Sequence, residues 1–150
     1  MAVVKQVAGT RTALTSTGFS TLAAATYVAT SAYSSVTNQP IDLMVEVTAA
    51  TTNVPAGNKQ VVVFAQASYD NTTFQSGPNS GSAATDEPLL SFLGVVQIAA
   101  TATTQVKAFS VAAAYGGVLP PYVKIVLKND TGVALTTGSV ATSEISVSVV

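Results

Sequence analysis

The chain has 150 residues, of which only 9% are charged, and its six basic and seven acidic side chains give a net charge of −1. Because it contains no Cys, His or Trp, the composition excludes disulfides, zinc fingers and imidazole-based catalysis. A nucleic-acid binder would carry a basic excess, and a membrane span would need a longer apolar run than any in this sequence. We therefore expect neither a nucleic-acid nor a membrane partner.

Residues 1–25 show no sustained hydrophobic period and are rich in Thr, Ser, Gly and Ala, which predicts an extended N-terminal arm. The arm contains Lys5 and Arg11, two of the six basic residues. We expect residues 1–18 to dock on a partner as an added strand. The predicted contact residues are Val3, Val4, Lys5, Val7 and Arg11.

From residue 26 onward, apolar and polar side chains alternate in short runs separated by turn residues, a pattern typical of β-strands. The clearest alternation begins at Ile41. Residues 60–69 are so rich in Val and Phe that we expect a central strand buried on both faces. The predicted strands are 27–33, 41–48, 60–69, 73–75, 89–98, 104–111, 122–128 and 144–150.

About eight strands at intervals of roughly a dozen residues predict an all-β fold. We expect an antiparallel, jelly-roll-like β-sandwich that forms a single domain over residues 26–150. Its predicted core consists of the aliphatic residues on the inward phase of each strand. These are Ile41, Leu43, Val45, Val47, Val61, Val63, Ile125, Ile145 and Val147.

The polar clusters lack the arrangement that catalysis or metal binding requires. Asp86 and Glu87 are adjacent carboxylates, but they lie in a loop rich in Gly, Ser and Pro, where both are solvated and neither suits a general acid. Residues 70–73 and 129–131 each supply one carboxylate, too few for calcium. We therefore expect no enzymatic activity, catalytic residue, metal site, cofactor or small-molecule substrate.

Two aromatic residues, Phe74 and Tyr115, border predicted loops, whereas the others lie in or beside strands. Aromatic side chains often lie at the centre of desolvated protein contacts. Phe74 and Tyr115 are therefore candidate interface anchors, with packing back onto the domain as the alternative.

Four segments follow one another between residues 68 and 132. They are SYDNTTFQ (68–75), LGVV (93–96), GGVLPPYVKI (116–125) and KNDTG (128–132). Together they resemble the cement, or decoration, proteins of tailed-bacteriophage heads. The resemblance implies a β-sandwich or jelly roll that forms dimers or trimers on the outer surface of the shell, bridges major capsid protein subunits and stabilises the expanded head. It covers about 65 residues, and no site residue is carried over from it.

The sequence therefore predicts a non-enzymatic virion structural protein, made in the cytoplasm of the bacterial host and located on the outer surface of the capsid. Its expected partners are the major capsid protein and further copies of the chain, with a dimer as the expected homo-oligomer. Two alternatives stay open. One is a carbohydrate- or receptor-binding module of a tail fibre or adhesin, and the other is a tail-completion or tail-tube subunit.

Overall fold

The computed structural model describes residues 3–83 and 85–149, and its two sheets consist of antiparallel strands. The loops between them contain the helical turn α1 (Val111–Ala114) and the 3-10 turns Phe19–Thr21 and Glu87–Leu89. The strands are β1 (Val4–Ala8), β2 (Thr12–Leu14), β3 (Tyr27–Ala29), β4 (Tyr33–Ser34), β5 (Asp42–Ala50), β6 (Gln60–Ser68), β7 (Ser80–Gly81), β8 (Ser91–Gln97), β9 (Gln105–Ser110), β10 (Tyr122–Asp130) and β11 (Thr137–Val149).

The strands form two sheets. Sheet 1 has the order β1–β11–β5–β9, with β2 also beside β11, and sheet 2 has the order β7–β3–β10–β6–β8, with β4 also beside β10. If β1 and β2 count as one interrupted strand, β3 and β4 as another, and the short β7 is set aside, each sheet has four strands. This pairing order is that of a jelly roll. The predicted all-β antiparallel sandwich is confirmed.

The core lies between the sheets because each central strand presents alternate aliphatic residues inward. In β5 the residues at odd positions are fully buried, while Asp42, Met44 and Glu46 are half-buried on the outer face. Most of the predicted core residues are confirmed, since their exposed fraction is 0%. These are Leu43, Val45, Val47, Val61, Val63 and Ile125.

Strand β6 is buried on both faces, as predicted from its composition. Its odd-numbered valines face the inter-sheet core. On the opposite face, Val62 and Phe64 form a second apolar cluster with Tyr27, Leu90 and Val126. Leu90 belongs to the loop that follows β7, so this loop covers part of the outer face of sheet 2 and shields β6 from solvent.

The predicted phase of the last strand is wrong. The register places Glu144 opposite the buried Leu43 and Ile145 opposite Asp42. Because directly opposed residues share a face of the sheet, Ile145 and Val147 lie on the outer face. Val147 is 48% exposed.

Two smaller expectations also differ from the structure. Ile41 is 43% exposed and lies just outside β5, which begins at Asp42. The predicted strand 73–75 is reduced to one isolated bridge between Phe74 and Ser68.

Residues 3–25 are joined to the sandwich more closely than the arm prediction implies. Both β1 and β2 pair with β11, and Phe19 and Leu22 belong to the inter-sheet core. The sandwich therefore begins before residue 26. The sequence conceals this because every residue of β1 is exposed, so β1 has no buried face to impose an alternating pattern.

Candidate interaction surfaces

Strand β1 and the end of β11 form a two-stranded ribbon that extends beyond the rest of sheet 1. Strand β11 pairs with β5 only as far as Ile145, whereas its pairing with β1 continues to Val149. Beyond Ile145 the ribbon therefore has no third strand beside it among the described residues. Beyond Ile145 this ribbon exposes both faces and the edges of both strands. An isolated pair of strands is only marginally stable in water.

The free edge of β1 carries unpaired backbone groups. The Gly9 N–H donates to the Glu144 carbonyl at 2.7 Å, which makes these two residues a hydrogen-bonded pair. Such pairs alternate along an antiparallel ladder, so Val7 and Lys5 also direct their backbone groups toward β11. Val4, Gln6 and Ala8 direct theirs outward, where another strand can add.

The two faces of the ribbon differ in chemistry. One face presents Val4, Val147 and Val149, and Val4 lies directly opposite Val149. The other face presents Lys5 and the exposed Val7, opposite Ser148 and Ser146. Edge strands are commonly protected from pairing by charged residues or Pro. Here Lys5 is the one charged side chain in β1, and the outer face of the ribbon is apolar except for Gln6, which lies opposite Val147.

The structure places three of the five predicted N-terminal contact residues, Val4, Lys5 and Val7, on the ribbon, and Val3 directly precedes β1. Arg11 differs from them. Its guanidinium donates to the Glu46 carboxylate on the outer face of sheet 1, with the closest nitrogen to oxygen distance 2.6 Å. Arg11 therefore ties the segment between β1 and β2 to β5.

Sequence reasoning missed Val147 and Val149 as contact candidates because their alternation with Ser is also what a core strand shows. Only the pairing with β5 and β1 places them on the exposed outer face.

Phe74 and Tyr115, the other two predicted anchors, line one open cleft of about 670 Å³ at the end of the sandwich. Tyr115 follows α1, and Phe74 is held beside the end of β6 by its bridge to Ser68. Tyr69 also lines the cleft and is 84% exposed. The sequence pattern missed Tyr69 because it continues the apolar run of β6.

Hydrogen bonds fix the polar side chains of this cleft. Asp70 Oδ1 accepts from the backbone N–H groups of Thr73 and Thr72 and from the Ser68 hydroxyl. These bonds lower the pKa of Asp70 to about 2, so its carboxylate is ionised near neutral pH. The Nζ of Lys124 lies 4.0 Å from the centre of the Phe74 ring, a cation–π contact.

Another polar cluster fastens the loop that covers sheet 2. Lys128 Nζ lies 2.7 Å from Glu87 Oε2, and the Tyr27 hydroxyl donates to the same oxygen. Burial raises the pKa of Glu87, but hydrogen bonds from Lys128 and Tyr27 and the charge of Lys128 outweigh burial and leave the pKa below its ordinary value. Of the two adjacent carboxylates Asp86 and Glu87, Glu87 therefore has a structural role.

A third cluster lies at the open edge between the sheets, beside β2 and β4. Glu144 Oε1 accepts from the Tyr33 hydroxyl at 2.7 Å, and Asn38 Nδ2 donates to both carboxylate oxygens. Burial and the Glu144 hydrogen bond raise the pKa of Tyr33. At this edge the Glu144 carboxylate is therefore hydrogen-bonded by two neutral side chains, Tyr33 and Asn38.

Within residues 3–83 and 85–149, no group of three or more His, Cys, Asp or Glu side chains could hold a metal ion. In the same part of the chain, no helix has the length and apolar character needed to cross a membrane. The sequence matches no protein-family model and no curated protein.

Proposed function

We propose that this protein is a capsid cement protein, which binds the outer surface of a bacteriophage head, bridges major capsid protein subunits and stabilises the expanded shell. The resemblance of residues 68–132 to cement proteins supports this proposal. The observation that carries it is the β1–β11 ribbon, whose edge and apolar face both suit attachment to a neighbouring subunit.

The ribbon suits attachment to a neighbouring subunit, because an added strand gains affinity from main-chain hydrogen bonds and its register from the side chains between them. Val4, Gln6 and Ala8 offer outward N–H and C=O groups to the edge of a partner sheet. Val147 and Val149 supply apolar contacts on the adjacent face. A partner strand would also give the marginal ribbon a third strand, which the described part of the chain does not supply beyond Ile145.

The sparse charge of the surface fits repeated assembly on a symmetrical shell. With only 9% charged residues, the chain has few charges to desolvate when an interface closes. Small Ala, Ser and Thr side chains also lose little rotamer entropy on burial. The same surface suits contacts between copies of the chain, with a dimer as the expected state.

The test is co-sedimentation of the purified protein with empty heads assembled from the major capsid protein encoded in the same genome. We expect saturable binding to expanded heads, weaker binding to unexpanded heads, and a higher disruption temperature for decorated heads. Binding to purified tails in place of heads would favour the tail-subunit alternative. Absence of binding to expanded heads would contradict the proposal.

A further inference from the structure

The cleft between Tyr69, Phe74 and Tyr115 is separate from the ribbon, since none of its lining residues belongs to β1 or β11. We propose that this cleft is a binding site for neutral oligosaccharides, with Tyr69 as the stacking platform. The proposal concerns a second surface and does not depend on attachment to a capsid.

Tyr69 carries the first part of the argument. Its side chain is 84% exposed although it directly follows a fully packed strand. It lines both the 670 Å³ cleft and a neighbouring cleft of about 300 Å³, and Tyr115 lines both as well. The two tyrosines therefore separate two adjoining depressions, and a ligand of two or more linked rings could occupy both.

Gln75 carries the second part, because its amide is held in one orientation. Its Oε1 accepts from the Tyr115 hydroxyl at 3.0 Å and from the Ala67 backbone N–H at 3.3 Å. A backbone N–H can only donate, so the atom facing Ala67 is the amide oxygen. The Gln75 Nε2 group consequently points away from Ala67 and has no hydrogen-bond partner among the described residues, so it can donate to a ligand hydroxyl.

Asp70 determines which ligand charge the cleft prefers. One carboxylate oxygen accepts three hydrogen bonds from the turn, which leaves Oδ2 to accept from a ligand hydroxyl. The carboxylate stays ionised and so disfavours acidic sugars and phosphates. Lys124 lies over the Phe74 ring and is not among the residues that line the cleft. The cleft combines the exposed Tyr69 ring with the fixed polar groups of Asp70 and Gln75, which is the chemistry that a sugar ring with one apolar face and several hydroxyls requires.

An array of neutral and acidic glycans, probed with the intact protein, provides the first test. We expect binding to a subset of neutral oligosaccharides, and titration of the best of them by NMR should shift the amide signals of residues 67–76 and 115. Absence of binding to every neutral glycan, or a preference for sialylated glycans, would overturn the proposal. Binding of an apolar peptide at this cleft, without glycan binding, would also overturn it and identify a protein anchor site.

Matched variants provide the second test. Tyr69→Ala should weaken glycan binding by at least about tenfold, whereas Tyr69→Phe, which keeps the ring, should stay within about threefold of the parent. Gln75→Ala should weaken binding by about five- to tenfold through loss of the directed amide. Val54→Ala, at an exposed position outside the cleft, should leave binding unchanged. Equal affinity of the parent and Tyr69→Ala would contradict the site.

Discussion

Val45 and Glu46 are neighbours in β5, yet their side chains lie in opposite environments. Val45 is fully buried between the sheets, whereas Glu46 lies on the outer face and accepts from Arg11. The Arg11–Glu46 ion pair is solvent-exposed, so it contributes little to stability. The alternation of apolar and polar residues in β5 was predictable because one face of the strand is fully buried and the other is partly exposed along most of its length.

Substitutions of Val45 and Glu46 should lower the free energy of unfolding by very different amounts. Val45→Asp places an unpaired charge in the core and should lower the free energy of unfolding by about 4 kcal/mol or more. Glu46→Gln removes one exposed ion pair and should cost less than about 1 kcal/mol. Urea unfolding followed by far-UV circular dichroism measures both, and losses of equal size would contradict the phase of β5.

Asp70 should titrate far below an ordinary aspartate. The Thr73 and Thr72 backbone N–H groups and the Ser68 hydroxyl hold its folded pKa at about 2, against 3.8 for the free side chain. Because the folded value is the lower one, ionised Asp70 stabilises the turn above about pH 4, and this contribution is lost as the pH falls from 3.8 toward 2.

Carboxyl carbon NMR measures this titration directly. We expect the Asp70 signal to have a midpoint close to pH 2 and Ser68→Ala to raise that midpoint. A midpoint near pH 4 in the parent protein would mean that the turn does not hold the carboxylate as described.

Among the strands, those with at least one buried face could be predicted from the sequence. Strand β6 was recognisable because it is buried on both faces, and β5 because one face is buried. Strand β1 is exposed throughout and left no pattern. In β11 the alternation of Ile and Val with polar residues looked like a core strand, but register with β5, a long-range property, assigns those residues to the outer face. The cleft was partly predictable, since Phe74 and Tyr115 were singled out, but their proximity depends on tertiary packing.

The contact between Gly138 and Phe19 tests whether the segment before residue 26 is part of the core. A Cβ added at Gly138 in β11 would lie 2.7 Å from the Phe19 carbonyl oxygen and 2.8 Å from its ring. Gly138→Ala should therefore displace Phe19 and lower the free energy of unfolding by about 1–3 kcal/mol. Chemical denaturation measures the loss.

Ser139→Ala is the matched control for Gly138→Ala, because Ser139 is the next residue of β11 and is exposed. It should change the free energy of unfolding by less than about 0.5 kcal/mol. If Gly138→Ala is as mild as Ser139→Ala, the 3-10 turn at Phe19 does not pack on β11 as described.

Both candidate surfaces, the β1–β11 ribbon and the cleft beside Tyr69, lie at the same end of the sandwich. The ribbon leaves sheet 1 beyond Asp42, at the start of β5, and β9 ends at the same place, since Ser110 pairs with Met44. Tyr115 follows β9 through α1 and lines the cleft with Tyr69. The ribbon lies on the β1 side of this end and the cleft on the β9 side. The two candidate surfaces therefore share one end of the jelly roll.

We propose that the outer edge of β1 attaches the protein to the phage head, and the affinity of a matched pair of Gln6 variants for expanded heads tests this proposal. Gln6→Pro removes an outward N–H group, and proline is tolerated at such edge positions. Gln6→Ala alters the side chain and keeps the backbone donor.

In co-sedimentation titrations, Gln6→Pro should bind expanded heads at least about tenfold more weakly than the parent, and Gln6→Ala should stay within about twofold. Both variants should keep the thermal midpoint of the parent to within a few degrees, because Gln6 makes no backbone bond to β11. If Gln6→Pro decorates heads as tightly as Gln6→Ala, strand addition at β1 is contradicted.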